Sequence, residues 1–456
     1  MTDGIDGGVV ERDKSRWALL SLLGGMSWAT LACAASPRVY DVSTSATAVT
    51  PPAANEPAVA DATPLSLEAP APVSETTDAT AGGVPNAVAT STPYDDLPAW
   101  AKVFDRLKFY GDARLRSESS FNLDDADDRH RQRLRVRFGT EYQVNDELVF
   151  GARVVTGDPD DPNSPHSTLG DAFNGIDISL DRAFLRYTPE SIDGASLTGG
   201  KFAHPFMTNP VYGELVWDQD VQPEGGIVGY DFGGSGASEG VGVNVGVYNL
   251  LEQGNAEDAF IVVSQIDAIK SIGDGGKARG AIGYYYYTDV TPDGSSTLLA
   301  DNAGNAVEDT DADTIPVLFV SDFGVLDALA AYEFQAGDMP VAISGQYIHN
   351  TRAEIDGDTG WATGVALGSA KKKGDWKFYY QWQVMEQDAV FSAFAQDDML
   401  FQTNYRSHVT GTNYQLTDKI GLHLWGLISR PDDVSASSAT SDDFQWRVRL
   451  DLNVRL

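Results

Sequence analysis

From residue 104 onward, apolar and polar positions alternate with a period of two. The clearest stretch is the C-terminus, where Phe444, Trp446, Val448, Leu450, Leu452, Val454 and Leu456 alternate with Gln445, Arg447, Arg449, Asp451, Asn453 and Arg455. Trp376, Phe378, Tyr380, Trp382 and Val384 repeat the pattern against Lys377, Tyr379, Gln381 and Gln383. Leu134, Val136 and Phe138 do so against Arg133, Arg135 and Arg137. Successive side chains of a strand point to opposite faces, so each stretch predicts a strand with one apolar and one polar face. A sandwich half-exposed to water would show the same alternation. Length favours the membrane: a tilted bilayer crossing takes about 9–11 residues, and soluble strands average nearer 5–6. Many of these stretches run to ten or more.

Connection lengths make a second test. Short turns fall at 144–147, 189–194, 233–239, 271–276, 336–340, 371–374 and 415–418. Long loops lie between them, at 117–128, 157–176, 204–225, 249–258, 290–324, 351–360, 387–403 and 430–442. Transmembrane barrels alternate short periplasmic turns with long external loops, and a sandwich has no reason to. Seven turns and eight loops join 16 strands. The expected fold is therefore an all-β, antiparallel transmembrane barrel of about 16 strands (range 14–18) spanning residues 102–456, with both barrel ends periplasmic. The short apolar run 317–320 is assigned to the fifth long loop.

The residues before the barrel follow other rules. Arg12, Lys14 and Arg16 precede an uncharged apolar stretch, 17–31, which ends in Ala32-Cys33-Ala34-Ala35-Ser36. This is the layout of a secretory signal peptide, assigned to 1–35. Residues 36–101 form a spacer rich in Pro, Ala and Thr; ten of the chain's 21 prolines lie in 37–98. Such a composition cannot bury a core, so the spacer is expected to be disordered and periplasmic. Attachment to the cell wall is a sharper reading of the same segment.

Composition narrows the function. The 456 residues carry 32 Lys+Arg against 66 Asp+Glu, a formal net charge of −34, which is contrary to nucleic-acid binding. Cys33 is the single cysteine and the six histidines are scattered, so no metal or cofactor is expected. No Ser/His/acid arrangement is legible, and no enzymatic activity is expected. The run Gly273-Asp274-Gly275-Gly276-Lys277 mimics a phosphate loop without its Ser/Thr or its helix. The series Asp309-x-Asp311-x-Asp313 resembles a calcium loop, but Thr314 stands where Gly is required. Divalent cations bridging acidic external loops to lipid headgroups are a further reading of Asp124, Asp125, Asp127, Asp128, Asp158, Asp160, Asp161 and Glu308. Tyr284–Tyr287, Trp376, Trp382, Trp425 and Trp446 are expected in the aromatic belts at the membrane surfaces.

Charge position says more than charge total. Residues 102–201 hold 14 of the 32 Lys+Arg, and 202–351 hold Lys270, Lys277 and Arg279. The polar faces of the first three strands carry Lys108, Arg114, Arg116, Arg133, Arg135, Arg137 and Arg153, and the last strand adds Arg447, Arg449 and Arg455. Closure of a barrel sets the last strand beside the first, which predicts one strongly basic lumen wall. A wall of Arg and Lys favours anions.

Between residues 107 and 230 the chain resembles the Gram-negative outer-membrane porins, most closely the putative porin family. The residues that carry it are Gly111-Asp112-Ala113-Arg114-Leu115-Arg116, Arg129-His130-Arg131-Gln132-Arg133-Leu134-Arg135-Val136-Arg137, and Thr156-Gly157-Asp158 with Asp161-Pro162. Ser179-Leu180-Asp181-Arg182-Ala183-Phe184 and Gly199-Gly200-Lys201 complete the set. Leu456 departs from the terminal aromatic common in porins, and the Pro-rich spacer departs as well. The resemblance implies a third loop folded into the lumen, which places the constriction at 204–225 with Glu214, Asp218, Asp220 and Glu224 as its acids. The expected function is passive diffusion of small hydrophilic solutes across the outer membrane, with a modest anion preference. Outer-membrane lipid is the expected surroundings and a homo-oligomer an open expectation. The alternatives are a channel specific for a phosphate- or carboxylate-bearing nutrient, a plugged barrel anchoring the envelope, and a soluble secreted lectin sandwich.

Overall fold

Alternating residues build a single closed sheet in the computed structural model of the chain. It describes residues 103–456 apart from 124–125, 214, 234–238, 253, 255–257, 274, 291–301, 309–317 and 437–440. The signal peptide and spacer, and with them Cys33, lie outside the described residues, as do Glu214, Asp124, Asp125, Asp274, Asp309, Asp311 and Asp313.

Among the described residues sixteen strands form the wall. They are β1 (Leu107–Phe121), β2 (Arg129–Gln143), β3 (Leu148–Thr156), β4 (Ile178–Tyr187), β5 (Ala195–Lys201), β6 (Glu224–Asp231), β7 (Gly240–Leu251) and β8 (Ala259–Ile272). The second half is β9 (Gly276–Tyr287), β10 (Gly324–Ala336), β11 (Met339–Asn350), β12 (Thr359–Gly368), β13 (Trp376–Met385), β14 (Tyr405–Gln415), β15 (Ile420–Pro431) and β16 (Gln445–Arg455). Each strand pairs antiparallel with its neighbours in sequence, and β16 closes the sheet on β1, with Leu452 opposite Leu115. Closure leaves no sheet edge. In hydrocarbon that is a requirement, because an unpaired backbone N–H or C=O there has no water to bond. The expected barrel and its strand number are present, and its connections alternate short and long except that 232–239 and 252–258, and likewise 351–358 and 369–375, are nearly equal in length. The segment at 317–320 forms only a two-residue ladder, Leu318–Phe319 on Val307–Glu308, inside the fifth loop as expected.

The outer wall is apolar. Leu115, Val136, Phe138, Phe150, Leu450 and Trp446 stand exposed on it, while their alternates Arg116, Arg133, Arg135, Arg449 and Asp451 are buried inside. No described helix is long and apolar enough to cross a membrane. Three expected belt positions are corrected. Trp425 points inward and is 2% exposed, and Tyr285 and Tyr287 also face the interior, leaving Tyr284 and Tyr286 on the outside. The reason is parity: four consecutive tyrosines on a strand must alternate.

The interior is filled unevenly. The described parts of loop 288–323 and loop 386–404 pack inside the long-loop end against β9–β13, joining Phe319, Phe323, Val390 and Phe391 to Tyr287, Val325 and Ile348. The Asp388 carboxylate ties them together, accepting from the Ser321 hydroxyl (2.6 Å) and the Ala306 amide (2.8 Å), while its backbone carbonyl accepts from Asn350 Nδ2 (2.8 Å).

Placing a charge on the outer wall tests this assignment. Leu450→Arg, at the middle of β16, should lower stability in lipid vesicles by about 2–4 kcal/mol in denaturant titrations. Unchanged stability would show that Leu450 does not face lipid.

Candidate functional site: a basic wall opposed by two loops

Register stacks the interior charges. Across β16, β1 and β2 the inward positions form five rungs: Arg447–Ser120–Arg129, Arg449–Glu118–Arg131, Asp451–Arg116–Arg133, Asn453–Arg114–Arg135 and Arg455–Asp112–Arg137. Ten of these fifteen positions are arginine and three are acidic. Like charges at strand spacing repel, so the carboxylates are set between them. Asp451 accepts two bonds from Arg116 (2.8 and 3.0 Å), Asp112 bridges Arg135 (2.9 Å) and Arg137 (2.7 Å), and Glu118 joins Arg131 (2.5 Å) to Arg449 (2.6 Å). Arg153 on β3 pairs with Asp181. A bulge at Asp181 sets Arg182 directly opposite Arg153.

Ten arginines outnumber the acids of their own strands, and two loops supply more. Loop 202–223 leaves the wall at Gly200 and returns at Gly225, which pair across β5 and β6 with φ of 116° and 152°. A Cβ at Gly200 would lie 2.3 Å from the Ala183 carbonyl oxygen, and one at Gly225 2.2 Å from that of Val247. Glycine at both roots lets the chain turn inward here. At its far side Asp220 takes Arg137 (3.0 Å) and Arg135 (3.5 Å). Asp218 accepts the Asp220 amide (2.7 Å) and Trp217 packs beneath, so the turn carrying Asp220 is fixed.

The second loop, 386–404, corresponds to the long connection expected at 387–403, and it also reaches the wall. Asp398 pairs with Arg449 and accepts the Tyr212 hydroxyl (2.7 Å), and the carbonyls of Asp398 and Met399 accept from Arg447 (3.1 and 3.3 Å). The Asp218 amide donates to the Phe394 carbonyl (2.8 Å) and Gln396 Nε2 to that of Gly213 (3.0 Å), which joins the two loops. Arg449 also lies over the Trp425 ring at 4.4 Å.

Burial alone would raise the Asp398 carboxyl, but Arg449 and Arg116 with the Tyr212 hydrogen bond hold it below the ordinary range. Asp397, buried and beside Asp398, is pushed up to about 7. Burial pushes His204 down to about 3, so it is neutral where it meets the Tyr248 and Tyr285 hydroxyls (3.0 and 3.2 Å).

Two cavities border this wall and share the lining residues Arg114, Arg135, Arg137, Arg153, Arg182 and His423. An inner one of about 590 Å³ is walled by β1–β4, β15 and β16 and by the tips of both loops, including Asp220, Asp397 and Asp398. A vestibule of about 1550 Å³ opens toward the short-turn end; its lining contains Arg114, Arg135, Arg137, Arg153, Arg182 and Arg455 with Lys277, Lys371, Lys377 and Lys419, against Asp112 and Glu333.

Of the residues expected to line a basic wall, Arg114, Arg135, Arg137 and Arg153 border both cavities, and Arg116 and Arg449 the inner one. Arg133 is turned to Ser164 (2.6 Å) and the His166 carbonyl (3.2 Å), and Arg447 to loop 386–404. Lys108 lies opposite Glu141 near the short-turn rim, in the lining of neither cavity. Of the expected constriction acids, Asp218 and Asp220 border the inner cavity. Glu224 opens β6 and pairs with Lys201 (2.6 Å) on an exposed rim. Among the described residues no cluster of three or more His, Cys, Asp or Glu could hold a metal.

Residues 122–320 match the model of a family described as putative porin. No curated protein matches by sequence. Among solved structures, OprB of Pseudomonas putida superposes with a TM-score of 0.53 at 12% identity, covering 78% of this chain and 96% of that one. The anion-selective porin of Comamonas acidovorans gives 0.47 at 10% identity, over 77% of this chain and 99% of its own. OmpF of Salmonella typhi, in complex with daunomycin, gives 0.46 at 11% identity, over 77% and 97%.

The loop chemistry sets a pH dependence. A carboxyl raised in the folded state contributes stability that is fully present below its ordinary pKa of 3.8, so Asp397 loses that contribution as pH rises from there to about 7. Proteolytic nicking of 386–404 in detergent should rise between pH 5 and 8. Asp397→Asn should abolish that rise; a pH profile identical in wild type and variant would refute the assignment.

Proposed function

With an outer-membrane porin barrel as the premise, we propose that this chain passes small hydrophilic solutes by diffusion and modestly prefers anions. The observation that carries this reading is the ten-arginine wall continuing into a vestibule whose lining holds ten Lys/Arg and two acids. Low-dielectric walls focus the field of such charges into the water between them. At about 0.15 M salt the screening length is roughly 8 Å, so ions within a narrowed pore remain in that field. Asp220 and Asp398 act from the loop side and reduce the preference without reversing it. The apolar outer wall is suited to outer-membrane lipid. Residues 1–35 as export signal and 36–101 as periplasmic spacer complete the proposal, which treats the barrel as a channel and not an enzyme.

Reversal potentials across a salt gradient in planar bilayers test it. The wild-type value should show anions more permeant than cations. Arg135→Gln with Arg137→Gln should move it toward cations, because Asp112 and Asp220 are then left without those partners. An unchanged potential would remove both arginines from the conduction path.

A further inference from the structure

Five of the wall's ten arginines, Arg116, Arg131, Arg135, Arg137 and Arg449, pair closely with carboxylates; where the two cavities share their lining, Arg114 on β1 and Arg182 on β4 do not. Arg114 donates from Nε to Asn453 Oδ1 (2.7 Å), and the nearest carboxylate oxygen paired with it, on Asp451, is 3.7 Å away. Arg182 donates from Nε to Gln222 Oε1 (2.7 Å) and enters no ion pair among the described residues. In both, the bond is made by Nε, which leaves the two terminal nitrogens for another acceptor. The acids at this level are engaged elsewhere: Asp112 and Asp220 by Arg135 and Arg137, Asp451 by Arg116, Asp181 by Arg153. Both residues border the vestibule and the inner cavity alike, so they sit at the junction of the two linings. Arg135, also at the junction and about 5% exposed, has a buried Nε that meets no acceptor among the described residues.

We propose that this junction is a binding subsite for oxyanions, carboxylates or phosphates, held by the terminal nitrogens of Arg114 and Arg182 with Arg135 as the neighbouring cation. A guanidinium presents paired N–H groups at the spacing of two carboxylate or phosphate oxygens, so these groups bind in register and with charge assistance. Chloride offers one centre and cannot use the pair in that way. The subsite rests on the anion-preferring reading and adds to it: solutes bearing an oxyanion pause here, and chloride passes.

The experiment uses the full barrel in planar bilayers at fixed potassium chloride, with inorganic phosphate or succinate titrated in from the short-turn side. Each should reduce chloride current saturably. Arg114→Gln with Arg182→Gln should raise the half-blocking concentration roughly tenfold or more, since two charge-assisted bonds are lost. Arg114→Lys with Arg182→Lys keeps charge without the fork and should fall between; heat-dependent gel mobility verifies that each variant is folded. Block by succinate alone assigns carboxylates and block by phosphate alone assigns phosphates. Current that is unaffected by either anion, in a pore that keeps its anion preference, overturns the subsite alone. Equal block in wild type and the Gln variant also overturns it. A wild-type pore without anion preference overturns the subsite and the functional reading together.

Discussion

Everything inside this barrel answers to the charge crowded at its closure seam. Joining β16 to β1 brings ten arginines onto three adjacent strands, and Arg116, Arg133, Arg135 and Arg449 among them are buried. Isolated charges there would be costly, and breaking one buried pair typically costs about 3–5 kcal/mol. Asp112, Glu118 and Asp451 offset part of the excess from within the wall. Asp220 and Asp398 reach it from loops whose other residues then have to pack inside the barrel. The constriction is thus a consequence of the wall. Two loops fold inward because their acids are held there, and glycines at 200 and 225 permit the turn.

Uneven filling follows from the same asymmetry. Opposite the arginines, β9–β13 present Tyr287, Val325, Ile348, Gln383 and Met385, and the loops over them form an aromatic and apolar mass around Asp388. The inner cavity lies beside the basic wall, while the wider vestibule is also lined by Glu333, Val341, Ala366 and Lys377 from β10–β13. At the level of the inner cavity the open space therefore lies off centre, along the charged surface, and the apolar loops fill the other side.

Most of the barrel was legible in the sequence because period-two alternation and sorted loop lengths are local properties. The basic wall was legible too, since Arg133, Arg135 and Arg137 share a face and closure is a topological necessity. What escaped depends on contacts between distant segments. Asp398 sits in a loop that nothing local distinguishes from its neighbours; its partner Arg449 lies 51 residues away. Arg182 escaped because the bulge at Asp181 breaks the parity that assigns faces. Trp425 was read as a belt residue, though strict alternation along β15 with Leu424 outward puts it inside. Glu224 was grouped with the loop acids when the strand had already resumed.

An off-centre aqueous path is the central claim, and cysteine accessibility tests it most directly. Cys33 is the chain's single cysteine, so a Cys33→Ser background is free of thiols. In it, Asn453→Cys places a thiol on the basic wall and Gln383→Cys one among the packed loops. A negatively charged thiol reagent should modify the first rapidly and lower single-channel conductance while leaving the second unreacted. Fast modification at 383 with none at 453 would contradict the account, because the water would then run through the half of the barrel described here as filled.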